Sequence, residues 1–471
     1  MAAMVGLSAN AQLTDGTVYW IQDTGTGQFI SQGADWGTQA TVKNVSGLGF
    51  EVAFVSDGVY KLKNVMWNKM NNAERGLGSG RYVDSGTGNG SSTIAEVTLT
   101  ASGDGYKLSI DGNYLTNNGS AKDYSGTKVL GSTTDASLAT VWKFLTKAEY
   151  DAALSTIKNN RAAELATIVG LDGITSFSAL ETELAGTDYV SVDQTSKITN
   201  AALNAGNIDG WTGTAPNQRT LAFGSENGTC AESWNGVAWA RQTISNLPNG
   251  LYKVTFVGTF RPGTLANAET LTSEQTSSPA YVYANNDCEE FIHWIDVSTK
   301  ANVRSGVVNN ASNYTSTFYT YVSNGTIELG VVQDAFYNSQ TWCPFGHFTL
   351  TQIYSIAMYK KTYDDAMTAA TDAQTSLTGF SVYATQKSTL DAAITANTLA
   401  GDDLTDVDKL TAAATNLNNA AAAVAKEKAA CDQYASIASA VEGNNNVDLT
   451  SYVNNASFET GDLTGWTNVD A

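Results

Sequence analysis

Between residues 17 and 145, apolar and polar positions alternate in a pattern that recurs three times. "YWIQ" from Tyr19 leads to "GQFIS" around Phe29. "YKLK" from Tyr60 leads to "GRYVD" around Tyr82, and "YKLS" from Tyr106 to "GNYLT" around Tyr114. Each copy is an aromatic-x-aliphatic strand, a glycine turn and a Gly-x-aromatic-aliphatic strand, and "WKFL" at Trp142 closes the set. From 146 to 190 the period becomes helical: Tyr150, Leu154, Ile157, Arg161, Leu165 and Ile168 share a face before "GLDGITSF" breaks it. "SFSALETELAG" predicts a second short helix that stops at Gly186, giving a helical hairpin expected to serve as a spacer.

Residues 191 to 359 return to strands. "LPNGLYKVTFVGTF" turns at Pro-Asn-Gly, then alternates Tyr252, Val254, Phe256, Gly258 and Phe260 with Lys253, Thr255, Val257 and Thr259. "PAYVYAN", "STFYTYVSNG", "TIELGVVQD" and "GHFTLTQIYSIAMY" follow, and together they predict a β-sandwich of jelly-roll type. Residues 360 to 450 are Ala-rich and helical. Tyr363, Met367, Ala370, Gln374 and Leu377 form one stripe; Val407, Leu410, Ala414, Leu417, Ala421 and Val424 form another. Residues 198–212, "ITNAALNAGNIDGWT", align without a gap to 453–467, "VNNASFETGDLTGWT". The repeat predicts that 453–471 opens a second sandwich, with Val453, Phe458, Leu463 and Trp466 in a first strand that lacks its partners. The expected organisation is a signal-peptide remnant (1–11), a trefoil-like domain (12–145), a helical spacer (146–190), a sandwich (191–359), a helical bundle spacer (360–450) and the start of a further, truncated sandwich (451–471).

Three hairpin-rich units describe a β-trefoil, and the segment resembles the ricin-type trefoils carried as binding modules by secreted bacterial proteins. The family's Gln-x-Trp motif is absent; "GTQA" and "TVW" stand near its place. The sandwich resembles jelly-roll carbohydrate-binding modules, where "N-x-x-F-(turn)-G-W" opens the domain, "L-P-x-G-x-Y" leads a central strand and a Phe-rich strand closes it. The Ala-rich helices resemble the FIVAR-type bundles of bacterial surface and glycan-degrading proteins. These resemblances imply a multidomain, mainly β chain: a β-trefoil plus a jelly-roll β-sandwich, separated by α-helical hairpin and bundle spacers.

Composition narrows the function classes. A net charge of −20 and a pI near 4.4 argue against nucleic acid and anionic membranes as partners, since both require surplus Lys and Arg. Two histidines in 471 residues exclude a multi-His metal centre. "MAAMVGLSANAQ" carries small residues at Ala9 and Ala11, as a signal-peptidase site does, so export and a mature start at Gln12 are expected. No stretch has the ~18 or more apolar residues of a spanning helix. Cys230, Cys288, Cys343 and Cys431 show no C-x-x-C spacing, and reduced thiols or a single bridge both fit.

The candidate chemistry lies in the sandwich, which holds half of the ten tryptophans. Sugar rings stack their C–H faces on aromatic planes, and their hydroxyls need amides or charged groups at the rim. "ESWNGVAWARQ" supplies Trp234, Asn235, Trp239 and Arg241 beside Glu232; "VVQDAFYNSQTW" supplies Tyr337, Asn338 and Trp342 beside Gln333 and Asp334. Trp211 is expected in the core, and at least one of Trp234, Trp239 and Trp342 at the surface. The calcium site that the resemblance implies lacks its carboxylates, with Asn204 in one place and "FGHF" (345–348) in the other. "NDCEEFIHW" gathers Asp287, Glu289, Glu290 and His293, read as solvated loop charges. Neighbouring strand residues point to opposite faces, which separates the acids a glycosidase would pair. No phosphate loop, nucleophile elbow or zinc motif appears. The expected protein is therefore an exported, non-catalytic, monomeric glycan-binding chain without cofactor or metal. It would lie outside the cell or on its surface, as the N-terminal part of a larger protein. Its expected partner is a polysaccharide or a host or dietary glycan. The alternatives are accessory modules of a glycoside hydrolase whose catalytic domain lies beyond residue 471, and a structural adhesin or stalk.

Overall fold

A computed structural model describes residues 12–34, 37–72, 74–78, 94–119, 128–186, 188–204, 207–213, 229–379 and 381–443. The expectations for the export segment 1–11, for Tyr82 and for the terminal stretch 453–471 lie outside the described residues. The protein is mainly β and divides into two compact units, Met1–Tyr354 and Ser355–Ala471.

The first unit begins with eleven strands: β1 (Val18–Asp23), β2 (Phe29–Gly33), β3 (Gln39–Lys43), β4 (Gly49–Ser56), β5 (Val59–Asn64), β6 (Val97–Ser102), β7 (Gly105–Ile110), β8 (Asn113–Thr116), β9 (Lys128–Val129), β10 (Gly131–Thr133) and β11 (Val141–Leu145). Six of them pair antiparallel in a cycle. β1 pairs β4, β4 pairs β5, β5 pairs β6, β6 pairs β7, β7 pairs β11, and β11 returns to β1. Alternation fills the ring: Tyr19 and Ile21 of β1, Phe50 and Val52 of β4, Leu62 of β5, Leu108 of β7 and Phe144 of β11 are buried together. β2 and β3 form a hairpin off the ring, as β8 and β10 do in pairing with each other. Helix α1 (Val65–Asn71) follows β5, capped by the Asn64 side chain, which accepts from Trp67 N at 3.0 Å.

Trp20, between the inward Tyr19 and Ile21, faces outward and stacks on Tyr150 of α2 (Lys147–Ile168), with ring centroids 5.1 Å apart. A capping box of Thr146 and Glu149 starts α2. With α3 (Phe177–Leu184), α2 buries Ala162, Leu165, Leu180 and Leu184 against Leu251, Tyr319 and Ile353 of the sandwich. Arg161 and Lys158 pair with Asp287 and Glu289. The expected spacer is thus a wedge built into the unit. A helix stripe read alone has no visible partner, and here the partner is a sheet face encoded far later in the chain, at Leu251, Tyr319 and Ile353.

The sandwich has two sheets. One joins β12 (Tyr189–Asp193) and β13 (Ala231–Trp234) to β21 (Trp342–Ser355), then β15 (Gly250–Phe260), β18 (Ile292–His293) and β19 (Thr315–Val322). The other runs β14 (Ala238–Ile244), β20 (Ile327–Gln333), β16 (Tyr281–Ala284), β17 (Asp287–Glu290). Short helices α4 (Leu265–Ala268) and α5 (Arg304–Asn309) lie in the connections. Trp211, expected in the core, is buried against Phe348 at 5.2 Å. β15 follows the expected alternation up to Phe256; beyond it both faces are buried, because Trp294, Val307 and Tyr314 cover Val257 from outside. One hydrophobic cluster runs through ring and sandwich together.

"QIYSIAMY", read as strand to residue 359, changes to helix at Ile356, where Ser355 Oγ accepts from Met358 N at 3.3 Å. The second unit packs α6 (Ile356–Ser376), α7 (Ala384–Ala396) and the first half of α8 (Val407–Gly443) around Tyr363, Ala370, Leu390, Leu410, Leu417 and Val424. Tyr434 and Ile437, further along α8, are exposed. No described helix is long and apolar enough to cross a membrane.

Candidate functional site

The seven residues singled out in the sequence fall into three places. Arg261, Trp342 and Trp234 occupy one row of the first sheet: Arg261 and Trp342 exchange backbone hydrogen bonds of 2.8 Å, and Trp342 stands opposite Trp234 across β21 and β13. Residues directly opposite in an antiparallel sheet share a face. The Arg261 guanidinium carbon lies 4.7 Å from the Trp342 ring centre, 5.7 Å from Trp234 and 5.9 Å from Trp294. Trp342 is 2% exposed, and its Nε1 donates to Glu232 Oε2 at 2.6 Å. Trp234, at 40% exposure, presents its ring to solvent. Next to it Asn235 sits in a tight turn at φ 58, its N–H donating to Thr341 O. Arg261 is buried, and its Nε has no hydrogen-bond partner among the described residues. Burial lowers its pKa to about 10, with the Glu232 charge opposing that shift. The arrangement is an exposed indole backed by a buried cation, the electrostatics of a rigid stacking platform.

Trp239 and Arg241 lie on β14, in the other sheet. Trp239 is buried, with the exposed Arg241 guanidinium 5.3 Å above its ring and 3.9 Å from Glu328. They do not join Trp234 in one surface.

Tyr337 and Asn338 are corrected outright. Their loop, expected as a glycan rim, is the strap by which the sandwich holds the N-terminal ring. Tyr337 is fully buried and its carbonyl accepts from Asn71 Nδ2 at 2.6 Å, while Asn338 Nδ2 donates to Met70 O at 3.1 Å. Phe336 N donates to Gly37 O at 2.7 Å, and Gln32 Nε2 returns a bond to Phe336 O. Asp334 is buried against Lys43, whose ammonium also donates to Gln32 O and Pro279 O at 3.1 and 3.0 Å. A Cβ at Gly33 would collide with the Asp334 carboxylate, so this approach requires glycine. Amides and aromatics beside a Trp read alike whether they face a sugar or another part of the chain.

The reading of "NDCEEFIHW" as solvated charge is also corrected. Asp287 to Glu290 form β17, and α2 covers them. Asp287 accepts from Arg161 Nη2 at 3.2 Å and Glu289 pairs with Lys158 at 2.9 Å, so alternate residues of the strand face α2. Glu290 makes no hydrogen bond among the described residues, and its Oε2 is buried. Burial, and then the neighbouring Glu289, push its carboxyl up to about 8. His293 is buried and held down to about 3 by burial and by Lys147. Its Nδ1 accepts from Ile295 N at 3.2 Å, which leaves the proton of the neutral ring on Nε2, where it has no partner. Glu289 and Glu290 contribute to two cavities, of about 440 and 220 Å³. Sequence reasoning passed over Arg261 and Ser277; only Arg261 left a trace, as the one charge closing a strand of alternating Tyr, Val and Phe. Among the described residues no three His, Cys, Asp or Glu side chains come together to hold a metal ion.

No protein-family model and no curated protein matches the chain. Among solved structures, it is similar to a family 35 carbohydrate-binding module from Clostridium thermocellum at 10% identity, over 26% of this chain and 76% of that one, with a TM-score of 0.17. A carbohydrate-binding module of lichenase 5A from Cellvibrio mixtus, in complex with cellotriose, is 8% identical over 35% of this chain and 96% of that one, with a TM-score of 0.17. The K3 adhesin domain of Lys-gingipain from Porphyromonas gingivalis is 13% identical over 34% and 99%, with a TM-score of 0.20. At these scores the likenesses carry no conclusion about what this chain does.

Proposed function

We propose that the chain is an exported, non-catalytic glycan-binding protein whose first unit joins a β-trefoil to a jelly-roll sandwich and whose second unit is a FIVAR-like helical spacer. The closed six-strand ring with its hairpins supports the trefoil reading, and the Ala9–Asn10–Ala11 motif supports export to the cell surface or beyond. One observation carries the binding function: Trp234 is exposed beside Asn235, with the buried Arg261 guanidinium 5.7 Å from its ring centre. An indole packed on a buried cation stacks on a sugar face with less of the ordering penalty that a free side chain incurs. A stalk has no use for an exposed ring held in this way. The acids of β17 do not support hydrolysis, since Glu289 is neutralised by Lys158 and Glu290 lies next to it in sequence, on a strand whose successive side chains diverge.

The test is affinity electrophoresis and glycan-array binding of the full chain beside Trp234→Ala. Retention by a polysaccharide that Trp234→Ala loses supports the reading. Equal retention of both proteins, or turnover of a glycan abolished by Glu290→Gln, overturns it.

A further inference from the structure

Three residues that line one cavity of about 220 Å³, Glu290, His293 and Ser277, each carry a buried polar atom without a partner among the described residues: Oε2, Nε2 and Oγ. His293 and Ser277 are each more than nine-tenths buried. Unsatisfied groups are ordinarily scattered and few, because each one left dry costs about 1–3 kcal/mol. Three around one void mark a place shaped for something polar to enter. Tyr150 and Phe291 give the same cavity an apolar side.

We infer that this cavity is a second carbohydrate subsite, separate from Trp234, that takes one neutral sugar ring. The unpartnered groups of its lining residues, an imidazole N–H, a hydroxyl and a carboxyl, are donor and acceptor types that sugar hydroxyls bond. Its remaining charges select against acids: Asp151, Glu289 and Asp296 line it with Lys147 as its one cation among the described lining residues, and Lys147 is itself paired with Asp151 at 2.7 Å. A uronate, sulfate or phosphate would enter against surplus negative charge. The volume lies below the roughly 300–1,000 Å³ of sites for larger ligands, which fits one ring and not an oligosaccharide. The choice of a sugar among neutral polyols rests on the glycan-binding reading; the cavity and its unpartnered atoms do not.

Ser277 gives a clean test, because its hydroxyl supports nothing in the fold. The full chain, Ser277→Ala and Trp234→Ala are titrated with glucose, galactose, mannose, N-acetylglucosamine and glucuronate by calorimetry and by ligand-observed NMR. The expected result is that at least one neutral sugar binds and glucuronate does not. Ser277→Ala then weakens the neutral sugar about tenfold without lowering Tm, and Trp234→Ala leaves the monosaccharide unaffected while losing the polysaccharide. No binding by any neutral sugar, with Ser277→Ala only raising Tm, identifies a cavity that holds water alone and overturns the inference. Loss of the monosaccharide in Trp234→Ala, or its retention in Ser277→Ala, overturns it equally. Loss of polysaccharide binding alone bears on Trp234 and leaves the two readings distinguishable.

Discussion

Lys43, buried, and Glu290, half-buried, are both ionisable side chains in the first unit, each between an N-terminal segment and the sandwich, and their surroundings are opposite. The Lys43 ammonium uses all three of its N–H bonds, on Asp334, Gln32 O and Pro279 O. Asp334 in turn accepts from Ala34 N. Glu290 has no hydrogen bond among the described residues, and His293 and Ser277 beside its cavity each hold an unpartnered atom. A buried charge with every bond satisfied serves the fold, since it excludes any other arrangement of the two parts. A seam with several groups unsatisfied weakens the fold, and such a defect persists where a ligand completes it.

The largest effect should come from breaking the satisfied pair of Lys43 and Asp334. Lys43→Met or Asp334→Leu alone strands a buried charge and should destabilise the first unit by about 3–5 kcal/mol. The double variant should recover most of that loss, read as the coupling energy in urea unfolding.

The unsatisfied seam should appear as pH dependence. The Glu290 carboxyl titrates near 8 folded against an ordinary 4.5, so the folded chain binds the extra proton between those values and stability falls as pH rises through 8. Glu289 and Asp296, also raised by burial, act in the same direction. His293 titrates near 3 against 6.5, so stability falls as pH drops from 6.5 through 3. The two limbs offset between about 4.5 and 6.5, where Tm should peak. Glu290→Gln should flatten the alkaline limb, by on the order of 1–3 kcal/mol at pH 9. A Tm that still falls equally above pH 7 in that variant would remove Glu290 from the account.

Trp234→Ala should lower polysaccharide affinity by roughly 1 kcal/mol while leaving Tm within a degree or two. The smallest effect belongs to the second unit. Lys361 and Asp365 form an i,i+4 pair at 2.7 Å with both side chains well exposed, and Lys361→Ala should change stability by less than about 0.5 kcal/mol.

The sequence carried the elements that repeat or alternate locally. Tyr19, Tyr60 and Tyr106 do start strands β1, β5 and β7 of the ring, and Leu410, Leu417 and Val424 do lie on the buried stripe of α8. The wedge of α2 was not legible, because a stripe of Ala and Leu is the same whether it meets a neighbouring helix or a distant sheet. Of the candidate site, Trp234 faces solvent as expected of at least one ring. Tyr337 and Asn338 were misassigned because a buried domain seam and a sugar rim draw on the same amides and aromatics. Arg261 was missed because its significance lies in three indoles brought together from β13, β21 and the turn at Trp294.

The ion pair of Lys43 and Asp334 spans 291 residues, and that span has a consequence in time. At synthesis rates of about 5–20 residues per second, Lys43 waits some 15–60 seconds for the strap that will cover it. Over that interval Lys43 and the backbone around Gly37 and Met70 stand open to water or to another chain. Contacts of such long range close late and slowly. The ring must therefore hold itself together through its own closed ladder, and the exposed seam of the nascent chain is where a chaperone would have the most to shield.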